Sequence, residues 1–167
     1  MQTTFSNGLN PSFYGKQLRS GVPAYDNNSG IRTVGGYISD SNSADVKFGT
    51  PLFAATSKPN AFLGVYNAST SPLFVGYLLN RNFTNEYSPA HADFLLNGQP
   101  ADALYHGAIW LVVPAGLTPA VGDKLYIDAS DGTTLTTTST SNIDLKSTVK
   151  EITTESGTSY MLVMVEA

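Results

Sequence analysis

The chain has 167 residues, a length suited to one domain with a core of its own. Its formal charge is −4, and nine Lys and Arg are scattered without a basic run, which excludes nucleic-acid binding by phosphate neutralisation. With zero Cys there is no disulfide framework, thiol nucleophile or Cys-ligated zinc; charged residues make 13% of the chain, about half the usual share, and Ser, Thr and Asn take their place.

The opening Met1-Gln-Thr-Thr-Phe5 lacks a basic flank and an apolar stretch, and reads as the natural start of a soluble, unexported chain. Residues 1–30 are rich in Asn, Ser and Gly, contain Pro11 and Pro23, and show neither helical nor alternating periodicity. They are expected to form an extended N-terminal arm. Phe5, Phe13, Tyr14 and Tyr25 are too many rings for a pure linker, so this arm should dock on another surface.

From Ile31 onward short runs rich in β-branched and aromatic residues alternate with Gly, Pro, Asn and Asp clusters, the pattern of an all-β fold. The expected architecture is a β-sandwich or barrel-like domain over 31–167. Strands are predicted at 31–39, 45–54, 61–67 and 73–80. Phe62-Leu-Gly-Val-Tyr66 and Phe74-Val-Gly-Tyr77 echo one another and read as two adjacent strands with a glycine at a close approach. One short helix is expected next, capped by Ser88, with Pro89 at its first position, Ala92, Leu95 and Leu96 on its apolar face, and Asn97-Gly98 at its end.

Further strands are predicted at 102–106, 108–113, 124–128, 133–138, 147–153 and 159–165. In Asp123 to Asp128, Leu125 and Ile127 should face inward while Lys124 and Tyr126 face out, and Asp131-Gly132 should turn the chain into Thr133–Thr138. The run Thr136 to Ser141 fits an exposed hairpin edge with its loop, or a glycan-binding strip. Two segments are apolar on both faces. Ile109, Leu111 and Val113 alternate with Trp110 and Val112, and Tyr160, Leu162 and Met164 alternate with Met161, Val163 and Val165. Such strands are central between layers or lie at a subunit interface, which makes Trp110 a candidate contact residue. The longest apolar run, Ala108 to Val113, is far too short to span a membrane, so no membrane partner is expected.

Catalytic signatures are sparse. His91 and His106 are the only imidazoles, and no His-Glu-x-x-His helix accompanies them, so no metal or other cofactor is expected. There is no Gly-x-Ser-x-Gly elbow and no phosphate-binding loop ending in Gly-Lys-Ser or Gly-Lys-Thr. Asp123, Asp128 and Asp131 could pair as glycosidase carboxylates, or Asp128 and Asp131 could hold calcium, but their places beside Gly122 and Gly132 mark them first as turn residues. The sequons at Asn27, Asn67 and Asn82 are no more than a chain rich in Asn, Ser and Thr produces by chance.

The segment from Asp45 to Asp128 carries a family resemblance. It runs through Val46-Lys-Phe-Gly-Thr-Pro-Leu52, Phe62-Leu-Gly-Val-Tyr66, Phe74-Val-Gly-Tyr77, Gly98-Gln-Pro-Ala-Asp-Ala-Leu104, Gly107-Ala-Ile-Trp-Leu-Val112 and Val121-Gly-Asp-Lys-Leu-Tyr-Ile-Asp128, with Pro23-Ala24 in the arm. This resembles the structural cement, or capsid decoration, proteins of tailed bacteriophages. The resemblance implies a non-enzymatic β protein, often a trimer, that binds the major capsid protein of an assembled shell. It would be made in the host cytoplasm and end on the virion's capsid surface. A receptor- or glycan-binding module of a phage fibre, and a small all-β hydrolase built on Asp123 to Asp131, are the alternatives.

Overall fold

The computed structural model describes residues 20–24, 30–39, 46–80 and 94–167, and these are all-β. In chain order the strands are β1 (Val22–Ala24), β2 (Arg32–Ile38), β3 (Val46–Lys47), β4 (Pro51–Ala55), β5 (Lys58–Leu63) and β6 (Leu73–Leu78). Then follow β7 (Phe94–Leu95), β8 (Pro100–Val112), β9 (Lys124–Ile127), β10 (Leu135–Thr136), β11 (Ile143–Glu155) and β12 (Thr158–Glu166).

β8 is the spine. Its first half pairs with β2 on one edge and with β6 on the other, and the order β8-β2-β5-β4-β6 returns to β8, closing a five-stranded barrel. Its second half pairs with β12, which continues through β11 and β9 to β10 as an open wing of the same sheet. Alternation along the strands decides what each face packs on. Ile38, Leu52, Phe62, Leu78, Ala101 and Ala103 come from all five barrel strands and form one buried cluster, the barrel's filling, together with Val46, Phe48 and Leu95. Their sequence neighbours Phe53, Tyr77 and Leu104 point the other way and pack against Ile109, Leu111, Leu125, Ile127, Leu145, Met161 and Val163 of the wing. The barrel's outer wall therefore lies on one face of the wing. Across this seam the buried Tyr77 hydroxyl lies 2.8 Å from Ser147 Oγ, and burial pushes the Tyr77 phenol above its usual range.

Most predicted strands are present within a few residues, and three expectations need correction. The expected helix gives way, where it is described, to β7, which pairs with β3 in the register Val46↔Leu95. Its backbone finds non-helical partners: Leu96 N donates to Gln99 Oε1, Gly98 N to Ile38 O and Ile38 N to Gln99 O, so a turn locked onto β2 replaces the helical ladder. Ser88, Pro89 and Ala92 lie outside the described residues.

The two Phe-Gly segments are not adjacent, because β4 lies between β5 and β6. Gly64 follows the end of β5, where an added Cβ would meet the Val46 side chain at 3.2 Å, while Gly76 makes the closer approach, onto the Leu104 backbone, with φ +138°. The predicted strands 102–106 and 108–113 are one strand, β8, carried past Gly107 at φ +120°. Within the stretch expected to be the arm, one described segment joins the sheet. Val22–Ala24 pairs with β8 in the register Val22↔Trp110 and Ala24↔Ala108, on the edge that β2 takes up again with Arg32↔His106. A truncation removing residues 1–25 strips this strand from the sheet and is expected to lower the domain's melting temperature.

Candidate functional site

Trp110 stands in the second half of β8, between β1 and β12. Ile109 and Leu111 face the barrel, so period-two alternation turns Trp110, Ala108 and Val112 to the wing's opposite face. There Trp110 and Leu162 are both buried, in a cluster with Ala24 and Ala108 flanked by the half-buried Tyr160 and Met164; Val112 at its end is exposed. The strands that flank this stripe are polar on the same face, since Met164 is followed across β11 by Thr148, and Thr148 across β9 by Lys124. Trp110, Leu162, Ala24 and Ala108 are themselves buried, so only Val112 and the half-buried Tyr160 and Met164 are open to a neighbour here. Of the predicted contact residues, only Trp110 can be placed; Phe5, Phe13, Tyr14 and Tyr25 lie outside the described residues. Sequence reasoning missed Ala24 as a member of this cluster and Val22 as the strand partner of Trp110. Their only signal was a Val-Pro-Ala run too short to show alternation.

The three carboxylates proposed as an alternative centre are occupied in turns. Asp123 Oδ2 accepts from Ala120 N at 2.8 Å, and Asp128 Oδ1 accepts from Ser130 N at 2.8 Å. Asp131 Oδ1 accepts from Thr133 N and Thr134 N, each at 2.8 Å, while Thr134 Oγ1 donates to Asp131 Oδ2. The Asp128 and Asp131 bonds are Asx-turn bonds, and Asp123 reaches back across its own turn to Ala120, so all three fill the turn role the sequence suggested. Gly132 closes the same loop: its nitrogen donates to Asp128 O, and its own oxygen accepts from Tyr66 N at 2.8 Å, which ties the loop to the barrel. Among the described residues no group of three or more His, Asp or Glu is placed to hold a metal. His106 lies opposite Arg32 on one edge and Glu166 on the other, and His91 lies outside the described residues.

The Asp131 loop carries a pH prediction. The Thr134 hydroxyl, with the amides of Thr134 and Thr133, holds the Asp131 carboxyl at about 2, below its usual 3.8. A depressed carboxylate pKa stabilises the fold fully above the unfolded value, and that contribution fades as pH falls through about 2. Carboxyl NMR titration should place the Asp131 midpoint near 2 in wild type and higher in Thr134→Val, short of the ordinary value because the Thr133 and residue-134 amides still donate. Equal midpoints in the two proteins would show that the hydroxyl does not set the shift.

Comparison with known proteins identifies the family. No curated protein matches the chain at a significant level. The family model described as structural cement protein (E217 gp24/Pam3 gp6) matches residues 9–166. That stretch takes in every described strand from β1 to β12, and the chain belongs to the family of structural cement proteins.

Proposed function

We propose that this protein is a non-enzymatic structural component of a bacteriophage virion that binds the major capsid protein of an assembled shell and stabilises the shell from its outer surface. The observation that carries the reading is the cement-family match across residues 9–166. The physical chemistry supports it in two ways. The carboxylates that a hydrolase would use are spent as turn acceptors. The chain also offers aromatic side chains in place of charge, with 11% aromatic against 13% charged residues, a balance suited to a wide, shape-matched contact. A shell presents one binding site many times over, so a homotrimer engaging several sites at once gains avidity from modest individual contacts. Phe5, Phe13, Tyr14 and Tyr25 add contact area toward a neighbouring subunit or the capsid.

The test uses assembled shells with and without purified protein. Saturable co-sedimentation is expected, together with a higher temperature of shell rupture at saturation. Absence of co-sedimentation across a range of shell and protein concentrations would end the cement reading for this chain. Light scattering of the free protein tests the oligomer separately, with a trimer mass expected and a monomer at high micromolar concentration removing that part.

A further inference from the structure

Asn97-Gly98, expected to end a helix, instead forms the corner between β7 and β8, with both residues exposed. Of the two Asn-Gly pairs in the chain, at Asn7 and Asn97, it is the one among the described residues. Asparagine followed by glycine carries a reaction of its own. The Gly98 nitrogen can attack Asn97 Cγ, because glycine has no Cβ to obstruct the approach. The new N–Cγ bond closes a five-membered succinimide, the Cγ–Nδ2 bond breaks, and Nδ2 departs as ammonia with the proton shed by the Gly98 amide. Water then opens the ring at one of its two carbonyls, leaving aspartate or, where the main chain is rerouted through Cβ, isoaspartate.

The folded corner opposes the first step twice. Gln99 N donates to Leu96 O at 3.1 Å, which makes Leu96–Gln99 a β-turn, and its third residue, Gly98, has φ +84° while Asn97 keeps a negative φ. That combination is a type II turn. Its second residue holds ψ near +120°, whereas ring closure needs the Gly98 nitrogen to eclipse Asn97 Cβ, about 120° of rotation away. The attacking nitrogen is also engaged, since Gly98 N donates to Ile38 O at 2.7 Å. Two further bonds fasten the turn. Leu96 N donates to Gln99 Oε1 at 2.7 Å, and Ile38 N donates to Gln99 O at 2.9 Å.

We propose that Asn97 is a latent self-modification site, closed to succinimide formation while the Leu96–Gln99 turn is fastened to β2 and released when that corner unfolds. The chemistry makes a prolonged opening irreversible. Isoaspartate adds Cβ to the main chain, so the lengthened turn no longer offers Gly98 N and Gln99 O to Ile38 in one register. The site lies apart from the Trp110 face, and the proposal stands without the cement reading because it concerns the free protein.

The test ages the purified full-length protein at mildly alkaline pH, in buffer and in guanidinium chloride, and follows residue 97 by peptide mapping with mass spectrometry. Isoaspartyl methyltransferase labelling separates isoaspartate from aspartate. Conversion is expected to be at least about tenfold slower in the folded protein, as for any reaction that waits on a rare local opening. Equal rates would overturn the proposal. Gln99→Ala removes the Oε1 acceptor, and the folded variant should convert Asn97 several-fold faster in buffer. An unchanged rate there would overturn the proposal by showing that the turn is not what protects. Should that variant fail to fold, hydrogen exchange of the wild-type Gly98 amide decides. Strong protection is expected, and exchange at the rate of an open peptide would overturn the proposal. Chains bearing isoaspartate at residue 97 should refold to a lower melting temperature than unaged chains; identical melting would overturn the irreversible step.

Discussion

A Val163→Asp variant is expected to lose about 3–5 kcal/mol of stability, the range for a charge buried without a partner. Val163 is 0% exposed on β12, where it stands opposite Ile109 of β8 and Val149 of β11. Its side chain points to the seam between wing and barrel, among Leu111, Leu125 and Met161. No described Lys or Arg belongs to that cluster, so the carboxylate must either stay charged in an apolar layer or take up a proton at a cost. Against a total stability of about 5–15 kcal/mol, either choice removes much of the folded population. Urea denaturation followed by circular dichroism should show a large drop in midpoint, partly recovered at acid pH where the carboxyl is neutral. Val163→Thr, which keeps the shape and replaces one methyl by a hydroxyl, should cost about 1–3 kcal/mol. An Asp variant with the wild-type midpoint would show that the seam is open to water.

The second large effect belongs to Gly76→Ala, which should open the barrel. A Cβ added at Gly76 would lie 2.3 Å from the Leu104 carbonyl oxygen and 2.6 Å from its carbon, both backbone atoms that no rotamer change can move. The glycine also sits at φ +138°, a region that side-chain-bearing residues rarely adopt. Tyr77↔Leu104 and Leu78↔Ala103 are the register pairs that join β6 to β8 and close the ring, so the clash falls on the closing seam. The expected loss is about 3 kcal/mol or more, with the β6 and β8 amides losing hydrogen-exchange protection before the distal β11–β12 hairpin does. Gly98→Ala is the control. Gly98 has φ +84° but nothing within 4 Å of an added Cβ, so only the conformational term of about 1–2 kcal/mol applies. If the two substitutions cost the same, the close approach of β6 to β8 does not limit residue 76.

Much of this architecture was legible because strand formation leaves a local trace. Alternation in Lys124–Ile127 gave the inward Leu125 and Ile127, and both are buried. Trp110 and Val163 lie in runs apolar on both sides, and both runs are central in the sheet, with β8 and β12 side by side. The turn aspartates were also legible, because an Asp side chain satisfies amides two or three residues ahead without help from the rest of the molecule. The helix expectation failed for the complementary reason. Leu95 fits an amphipathic helix face by spacing, but two residues of strand suffice once Val46 is there to pair with and the barrel end needs filling.

The sequence alone therefore determines the all-β class, the position of most strands, the turn role of Asp123, Asp128 and Asp131, and the cement-family resemblance that the match over residues 9–166 supports. All of these rest on local periodicity, turn chemistry or motif order, which are properties of neighbouring residues. Tertiary structure decided the rest: that β4 separates the two Phe-Gly segments, that β8 is shared between barrel and wing, and that Val22–Ala24 joins the sheet beside Trp110. Pairing partners at separations such as Val22 with Trp110 are chosen by which apolar faces can be covered together, and that choice exists only once the chain is folded.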